Sequence, residues 1–378
     1  MAPLRIGVNA LYLIPGGVGG TEIYLRNLLA ALGRTDRENE YFVFVNRETG
    51  DDLAPPQANF HILRQPVRAR FRPARILWEQ VALPWQVRRR RLDVLFNPGF
   101  TAPVLAPSPQ VTVFHDLQHK RHPEYFRWFD LPFWRLLLWA AARRSTALVA
   151  VSAATAADLA HYYQTPQKKI HVIPHGVEER FLAIGAERRS SPPEPLVLAV
   201  STLHPHKNLD RLVRVFARFR ARRPEYRLVL AGLRGFHANE VERAAGAAGL
   251  TGCVRLAGWI PREELYELYR RAAACIYPSL FEGFGLPVLE ALAAGIPTAC
   301  SDIEPLRWLA GGAALLFDPR DEEAMLAALE RVVSDEALRA RLAAAGPERA
   351  RMFSWQAAAE ATLAALTAAS RSGSRPSR

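Results

Sequence analysis

Short strand-like runs alternate with helical ones along nearly the whole chain, and they fall into two series. The first comprises residues 4–8, 41–45, 94–96, 111–114 and 148–151, and the helix after its first strand gathers Leu25, Leu28, Leu29 and Leu32 on one face. The second comprises residues 196–200, 228–231, 254–256, 274–277, 298–300 and 314–317. Strand followed by helix, repeated, argues parallel sheets, because neighbouring parallel strands must be joined by a crossover that a helix fills. The expected fold is α/β, with two Rossmann-like, doubly wound parallel-sheet domains. A length of 378 residues lets each bury its own core. Ligands in such folds bind beyond the carboxyl ends of the strands. Two sheets facing each other therefore predict an interdomain active site.

The expected organisation is an N-terminal domain over residues 1–175, a linker over 176–195 and a C-terminal domain over 196–350. A C-terminal helix over 351–370 and a disordered tail over 371–378 complete it. The linker is placed by a Pro-His-Gly turn and the stretch ERRSSPPEP, the tail by its polar, Gly- and Pro-bearing sequence. Cys253, Cys275 and Cys300 have no metal-like spacing and read as reduced residues of a cytoplasmic protein. No signal peptide or membrane span is expected, since the longest apolar stretch, 131–142, is too short and carries Pro132 and Arg135.

A net charge of +12 attracts anions of several kinds. Between His61 and Arg91 there are nine arginines and one glutamate, interleaved with Phe71, Ile76, Leu77, Trp78, Leu83 and Trp85. The stretch from Arg68 to Arg91 fits contact with anionic lipid headgroups, and it fits equally an ordinary helix face with solvated arginines. None of the recognisable nucleic-acid-reading modules occurs, and no nucleic acid partner is expected.

The densest chemistry lies in SLFEGFGLPVLEA, which begins at Ser279. A buried strand at 274–277 leads into a glycine turn, Pro287 suits a helix's first turn, and Gly295 supplies its stop. Amides of Gly283, Phe284, Gly285 and Leu286 would point, with the positive end of the helix dipole, at an anion. Glu290, about one turn past Pro287, can accept from vicinal hydroxyls such as those of a ribose, while Glu282 sits on the loop beside the anion. A solvated helix residue and an N-terminal cap would also account for an isolated pair of glutamates.

Glu-x7-Glu around GFGLP, preceded by Tyr-Pro-Ser and followed by ALAAGIPTACSD, resembles the retaining glycosyltransferases of family four, which have the GT-B fold. The resemblance extends along nearly the whole chain. It implies that Gly16 and Gly17, in the loop between the first strand and first helix, lie over the donor phosphates. As a dinucleotide fingerprint that loop fails, because position 22 is Glu22 and the next strand ends in Asn46. The segment VFHD resembles the family's strand-His-Asp pattern, so His115 is expected to reach the donor sugar, with Asp116 orienting it or the loop and favouring its charged form. Lys207 would neutralise the diphosphate leaving group. Here the sequence departs from the pattern, with Ser201-Thr202 and His206 in place of the usual Gly-Arg or Gly-Thr and arginine. Trp259 and Ile260, after a strand end, are implied to read the nucleobase through their backbone.

No Asp-x-Asp occurs, so metal-bridged activation of a diphosphate lacks its usual carboxylates; neither metal nor cofactor is expected. The resemblance implies a retaining, metal-independent transfer of a hexose from a nucleoside diphosphate to an acceptor hydroxyl. Mannose from GDP-mannose is favoured because VFHDLQHKRHPEYF and STLHPHKNL look most like segments of bacterial mannosyltransferases that build polysaccharides. UDP-sugars remain open. The partners are the nucleotide sugar and a hydroxyl acceptor, lipid-linked if the basic stretch makes the protein peripheral to the membrane. A glycosidase would also need two carboxylates, and a non-catalytic basic binding protein would need neither.

Overall fold

In the computed structural model, which describes residues 3–190 and 192–373, the two series of runs become two parallel sheets. The chain divides into unit 1, Met1–Gly176 with Trp355–Arg378, and unit 2, Val177–Ser354.

The sheet of unit 1 contains β1 (Arg5–Ala10), β2 (Glu40–Val45), β3 (Phe60–Arg64), β4 (Val94–Asn97), β5 (Gln110–Phe114), β6 (Ala147–Ala150) and β7 (Ile170–Val172). Their order is β3-β2-β1-β4-β5-β6-β7, parallel throughout. Strand order reverses between β1 and β4, which makes their carboxyl ends the switch point where ligands enter such sheets. The helices are α1 (Gly20–Thr35), α2 (Arg72–Arg89), α3 (Gln118–Arg121), α4 (Leu131–Arg144) and α5 (Ala153–Tyr163). Right-handed crossovers put α2, α4 and α5 on one face and α1 on the other. Accordingly Leu83 and Val87 of α2 pack with Phe44 and Leu95, and Leu138 and Ala141 of α4 pack with Phe114 and Leu148.

In unit 2 the strands are β8 (Glu194–Val200), β9 (Arg227–Ala231), β10 (Val254–Gly258), β11 (Ala272–Tyr277), β12 (Thr298–Ser301) and β13 (Leu315–Phe317). They are ordered β10-β9-β8-β11-β12-β13, so the switch point lies between β8 and β11. The helices are α6 (Glu179–Glu187), α7 (Leu209–Arg222), α8 (Ala238–Ala247), α9 (Arg262–Arg271), α10 (Leu286–Ala293), α11 (Leu306–Ala310), α12 (Glu322–Ser334) and α13 (Glu336–Ala350). The last helix, α14 (Trp355–Gly373), packs on α1 of unit 1.

Three features differ from the sequence reading. Strands β3 and β7 were not foreseen, because each lies at an edge of the sheet, where one side is open to water and polar residues such as His61, Arg64 and His171 are tolerated. The expected linker is mostly helix. Phe181 of α6 sets its ring edge-on to Tyr266 and Tyr269 at 5.1 and 4.9 Å, and a Cβ on Gly185 would meet the Ala293 carbonyl oxygen at 2.6 Å. That stretch belongs to unit 2 because its apolar stripe is buried there. The final helix starts at Trp355 rather than 351 and continues to Gly373, so residues 371–373 are helical, while 374–378 of the expected tail lie outside the described residues.

Candidate active site

Lys207 and Glu282 come together at the switch point of unit 2, one on each side of it. Lys207 closes a turn of 3-10 helix after β8, and Glu282 lies on the loop between β11 and α10. The two loops are stitched by backbone. The His206 carbonyl accepts from the Leu280 amide at 2.7 Å and from the Ser279 hydroxyl at 3.1 Å, while Asn208 Nδ2 donates to the Pro278 carbonyl at 3.1 Å. Asn208 itself sits in the left-handed region, φ 58°, at the start of α7, a conformation asparagine tolerates better than most residues. On this frame Lys207 Nζ donates to Glu282 Oε1 at 2.6 Å and to the Tyr277 hydroxyl at 3.0 Å. Both members of the ion pair are largely buried, with side chains 14% and 9% exposed. Burial, with Glu282 beside it, holds the Tyr277 phenol well above its usual range, so it stays protonated.

Gly285 carries the turn into α10 at φ 103°, and a Cβ there would meet Leu306 Cδ2 at 2.3 Å. Only glycine fits. Pro287 lies in the first turn of α10 and Gly295 ends it at φ 61°. The segment is thus strand, glycine turn and helix. Gly283 and Phe284 lie within that turn, and Leu286 is the first residue of α10.

Glu290 is held inside unit 2. Its Oε1 accepts from Arg262 at 2.9 Å and its Oε2 from the Tyr269 hydroxyl at 2.8 Å, leaving the side chain 4% exposed. Burial pushes its carboxyl up and Arg262 pulls against it. Arg262 also pairs with Glu178. Although burial works against its charge, Glu290 and Glu178 together keep it protonated. The carboxylate expected to meet ribose hydroxyls therefore already serves a buried charge network. Trp259, exposed, and Ile260, half-buried, follow β10 at the sheet's far edge.

The carboxyl edge of unit 1 is built from rings. His115 follows β5 and is buried, with Tyr24 edge-on at 4.8 Å, Phe100 at 5.1 Å and His175 at 5.7 Å between centroids. Trp355, at the start of α14, stacks on His175 at 5.8 Å. His115 Nε2 lies 2.9 Å from the Pro98 carbonyl oxygen. A carbonyl only accepts, so Nε2 carries the proton and Nδ1 is left as an acceptor. Burial pushes the imidazole down to about 4. Burial thus favours the neutral ring rather than the charged form expected, the Pro98 carbonyl holds Nε2, and Asp116 Oδ1 accepts from the Gln118 amide at 3.0 Å, orienting the loop, one of the two roles expected of it. The glycine loop is braced from within. The Gly16 amide donates to Glu22 Oε2 at 2.7 Å and the Gly17 amide to the Ile14 carbonyl at 2.8 Å, so both are engaged within the loop.

Sequence reasoning missed Tyr277, the Arg262, Glu178 and Tyr269 group, and Glu22 as the brace of the glycine loop. One signal was available for Arg262. A cation in the first turn of a helix opposes the dipole, so its presence at the start of α9 asks for a nearby anion. Among the described residues no group of three or more His, Cys, Asp or Glu is gathered as a metal ion would need.

Comparison with known proteins agrees with this geometry. The family model described as "Glycosyltransferase Family 4" matches residues 18–181, and "Glycosyl transferases group 1" matches residues 184–349. O-antigen chain mannosyltransferase B of Escherichia coli is 27% identical over 72% of this chain and 73% of its own length. The serotype-specific mannosyltransferase WbdA of Escherichia coli is 28% identical over 59% of this chain but only 29% of its own length. Among solved structures, sucrose-phosphate synthase from Thermosynechococcus elongatus superposes with a TM-score of 0.78 at 19% identity, covering 98% of this chain and 100% of that one. With both family models matched in tandem over two parallel α/β units, and the Lys207–Glu282 pair at the switch point of the second, the chain belongs to the family-four glycosyltransferases of GT-B fold.

Proposed function

We propose that this glycosyltransferase is a retaining mannosyltransferase that moves mannose from GDP-mannose to an acceptor hydroxyl, without a metal ion, in polysaccharide or glycolipid biosynthesis. The observation that carries the reading is the buried Lys207–Glu282 pair beside Tyr277. A lysine already held in place can meet a departing diphosphate at little further cost in reorganisation. A diphosphate would compete with Glu282 for that lysine, and the released carboxylate would then stabilise positive charge developing on the sugar.

In the reaction proposed, the bond from the anomeric carbon to the diphosphate oxygen breaks as the acceptor oxygen bonds to the same face. The acceptor's proton passes to the departing diphosphate, so no protein nucleophile is needed. His115, neutral and with Nδ1 available as an acceptor, is assigned a hydrogen bond from a hydroxyl of the transferred hexose. Glu290, positioned by Arg262 and Tyr269, is assigned the ribose, and Trp259 and Ile260 the base. The missing Asp-x-Asp supports independence from metal. The names of the E. coli relatives support mannose and a surface polysaccharide.

No helix of the described residues is long and apolar enough to cross a membrane. We assign the enzyme to the cytoplasmic face of the membrane, peripherally, with exposed arginines between Arg68 and Arg91 meeting anionic lipid near a lipid-linked acceptor. A panel of nucleotide sugars with product detection tests the donor, the anomeric configuration of the product tests retention, and calorimetry with GDP and UDP with and without EDTA tests the metal. Transfer from GDP-mannose with retained configuration, and GDP binding unchanged by chelator, is the expected result. Binding that needs added divalent metal, or cleavage of an aryl mannoside without nucleotide, would overturn it.

A further inference from the structure

Helix α4 is apolar on both sides. Leu138, Ala141 and Ala142 face the core of unit 1, yet Phe133, Leu136 and Trp139 on its other side are exposed, and Trp128 and Phe129 just before it are exposed too. A helix that buries one apolar stripe and shows a second to water has an outer face shaped for something else. Helix α2 repeats the pattern: Ile76, Leu83 and Val87 are buried, while Leu77, Val81 and Trp85, spaced four apart along one side, are exposed.

The two outer faces adjoin. The guanidinium of Arg72, at the start of α2, lies 5.2 Å from the Trp134 ring of α4. Further along, the loop after β4 is held from both sides, by Gln80 of α2 at Ala102 and Val104 and by Arg144 of α4 at the Val104 carbonyl, 2.8 Å. Exposed Leu105 follows on that loop. The helices thus run side by side and in the same direction, as crossovers on one face of a parallel sheet must.

Charge on this surface has one sign. Arg68, Arg70, Arg72, Arg88, Arg89, Arg127, Arg135, Arg143 and Arg144 are exposed. Several lie against the exposed rings, Arg89 over Trp85 at 5.2 Å and Arg143 over Trp139 at 5.9 Å. Of the two acids within α2 and residues 126–144, Glu79 is buried beside Arg75 and Asp130 is half-buried.

We infer that the outer faces of α2 and α4 form one docking surface for an anionic phospholipid bilayer, with the aromatic side of α4 entering the interface and the arginines meeting the headgroups. At 14 residues, about 21 Å, α4 is too short to span and suits a position in the membrane plane. A second copy of the chain fits less well, because a two-fold contact would set arginines against arginines. Single-stranded nucleic acid fits less well because it would use the exposed rings and arginines but leave the aliphatic Leu77, Val81, Leu105 and Leu136 facing water, whereas a bilayer covers both kinds of side chain. This surface rests on the peripheral reading above and adds to it a helix outside the arginine-rich stretch.

Flotation of the full chain with vesicles of mixed phosphatidylglycerol and phosphatidylcholine, and of phosphatidylcholine alone, at low and high salt, tests it. Wild type should float with the anionic vesicles. Combined Phe133→Ser, Leu136→Ser and Trp139→Ser should weaken partition by about tenfold or more, with melting temperature and GDP binding unchanged. Combined Arg88→Ser and Arg89→Ser should remove part of the salt-sensitive component, and Phe236→Ser with Met352→Ser, exposed positions of unit 2, should change nothing. Brominated lipid should quench emission that Trp139→Phe removes. The surface is wrong if wild type binds neither vesicle, if the α4 variant floats like wild type, if that variant instead abolishes a concentration-dependent dimer, or if an oligonucleotide binds as tightly as the anionic vesicles. Sugar transfer to a soluble acceptor without flotation would overturn the surface alone; flotation as expected without nucleotide binding would leave the surface and overturn the transferase reading.

Discussion

At the carboxyl edge of the unit 1 sheet the side chains gathered around His115 are rings held against rings, Tyr24, Phe100, His175 and Trp355. At the carboxyl edge of the unit 2 sheet they are charges held against charges, Lys207 on Glu282 and Arg262 between Glu178 and Glu290. One topology therefore carries two chemistries. Rings and a neutral imidazole suit a sugar, which is uncharged and presents hydroxyls and C–H faces; ion pairs suit a diphosphate, which must be met by positive charge without a change of protonation. Substitutions should cost most in unit 2, where removing one charge strands another, and less in unit 1.

The largest effect is expected at Arg262. Arg262→Ala leaves Glu290 buried without its cation and should lower stability by about 3 kcal/mol or more, read as a shift in the denaturant midpoint. Glu290→Ala should cost less, because Arg262 keeps Glu178. Equal costs would mean that the three charges do not act as a network.

Lys207→Ala should weaken GDP binding by about 1.5–3 kcal/mol, the worth of a charge-assisted contact. Glu282→Gln should leave GDP affinity intact or improve it, since the amide competes less for Lys207, while transfer slows. Calorimetry and initial rates separate the two. A Glu282→Gln enzyme with wild-type turnover would remove Glu282 from the chemistry.

The pH dependence of stability probes the rings. Burial holds His115, His119 and His204 each down to about 4, against an ordinary value of 6.5. Between those values the unfolded chain binds more protons than the folded one, so this stability is complete above about pH 6.5 and is lost as pH falls toward 4. Each group contributes a slope of up to about 1.4 kcal/mol per pH unit. His115→Gln should flatten the curve by one such slope in urea unfolding between those pH values, and an unchanged slope would place the protonation elsewhere. For the same reason His115 should add no limb to the rate profile near pH 6.5.

The smallest effect is expected at the glycine loop. Glu22→Gln replaces the charge-assisted bond to the Gly16 amide with a neutral one and should cost about 1 kcal/mol. Faster hydrogen exchange at Gly16, with the global unfolding midpoint scarcely moved, is the signature.

Much of this architecture could be read from the chain in order. All six strands of unit 2 were placed: β8, β9, β11 and β12 are inner strands that read as apolar runs, and the edge strands β10 and β13 still keep Val254, Leu256, Leu315, Leu316 and Phe317. Strands β3 and β7 were not, because edge strands are short and tolerate charge. The turn at Gly285 was legible, since glycine and then proline are the residues that geometry requires. Helix α6 was hidden in a polar, proline-flanked stretch where Phe181 and Ile184 alone marked the buried side.

Local rules, each acting over a few residues, were enough for the sequence by itself to determine the two parallel-sheet units, the strand-turn-helix around Glu282 and the strand end that carries His115. Only the tertiary structure decided what those side chains touch. Lys207 meets Glu282 across 75 positions of sequence, Arg262 meets Glu178 across 84, and α2 and α4 come to share one outer surface. Hydrogen-bond and Coulomb energies depend on distance in space, and spatial neighbours from different strands and helices leave no periodic trace in the order of residues.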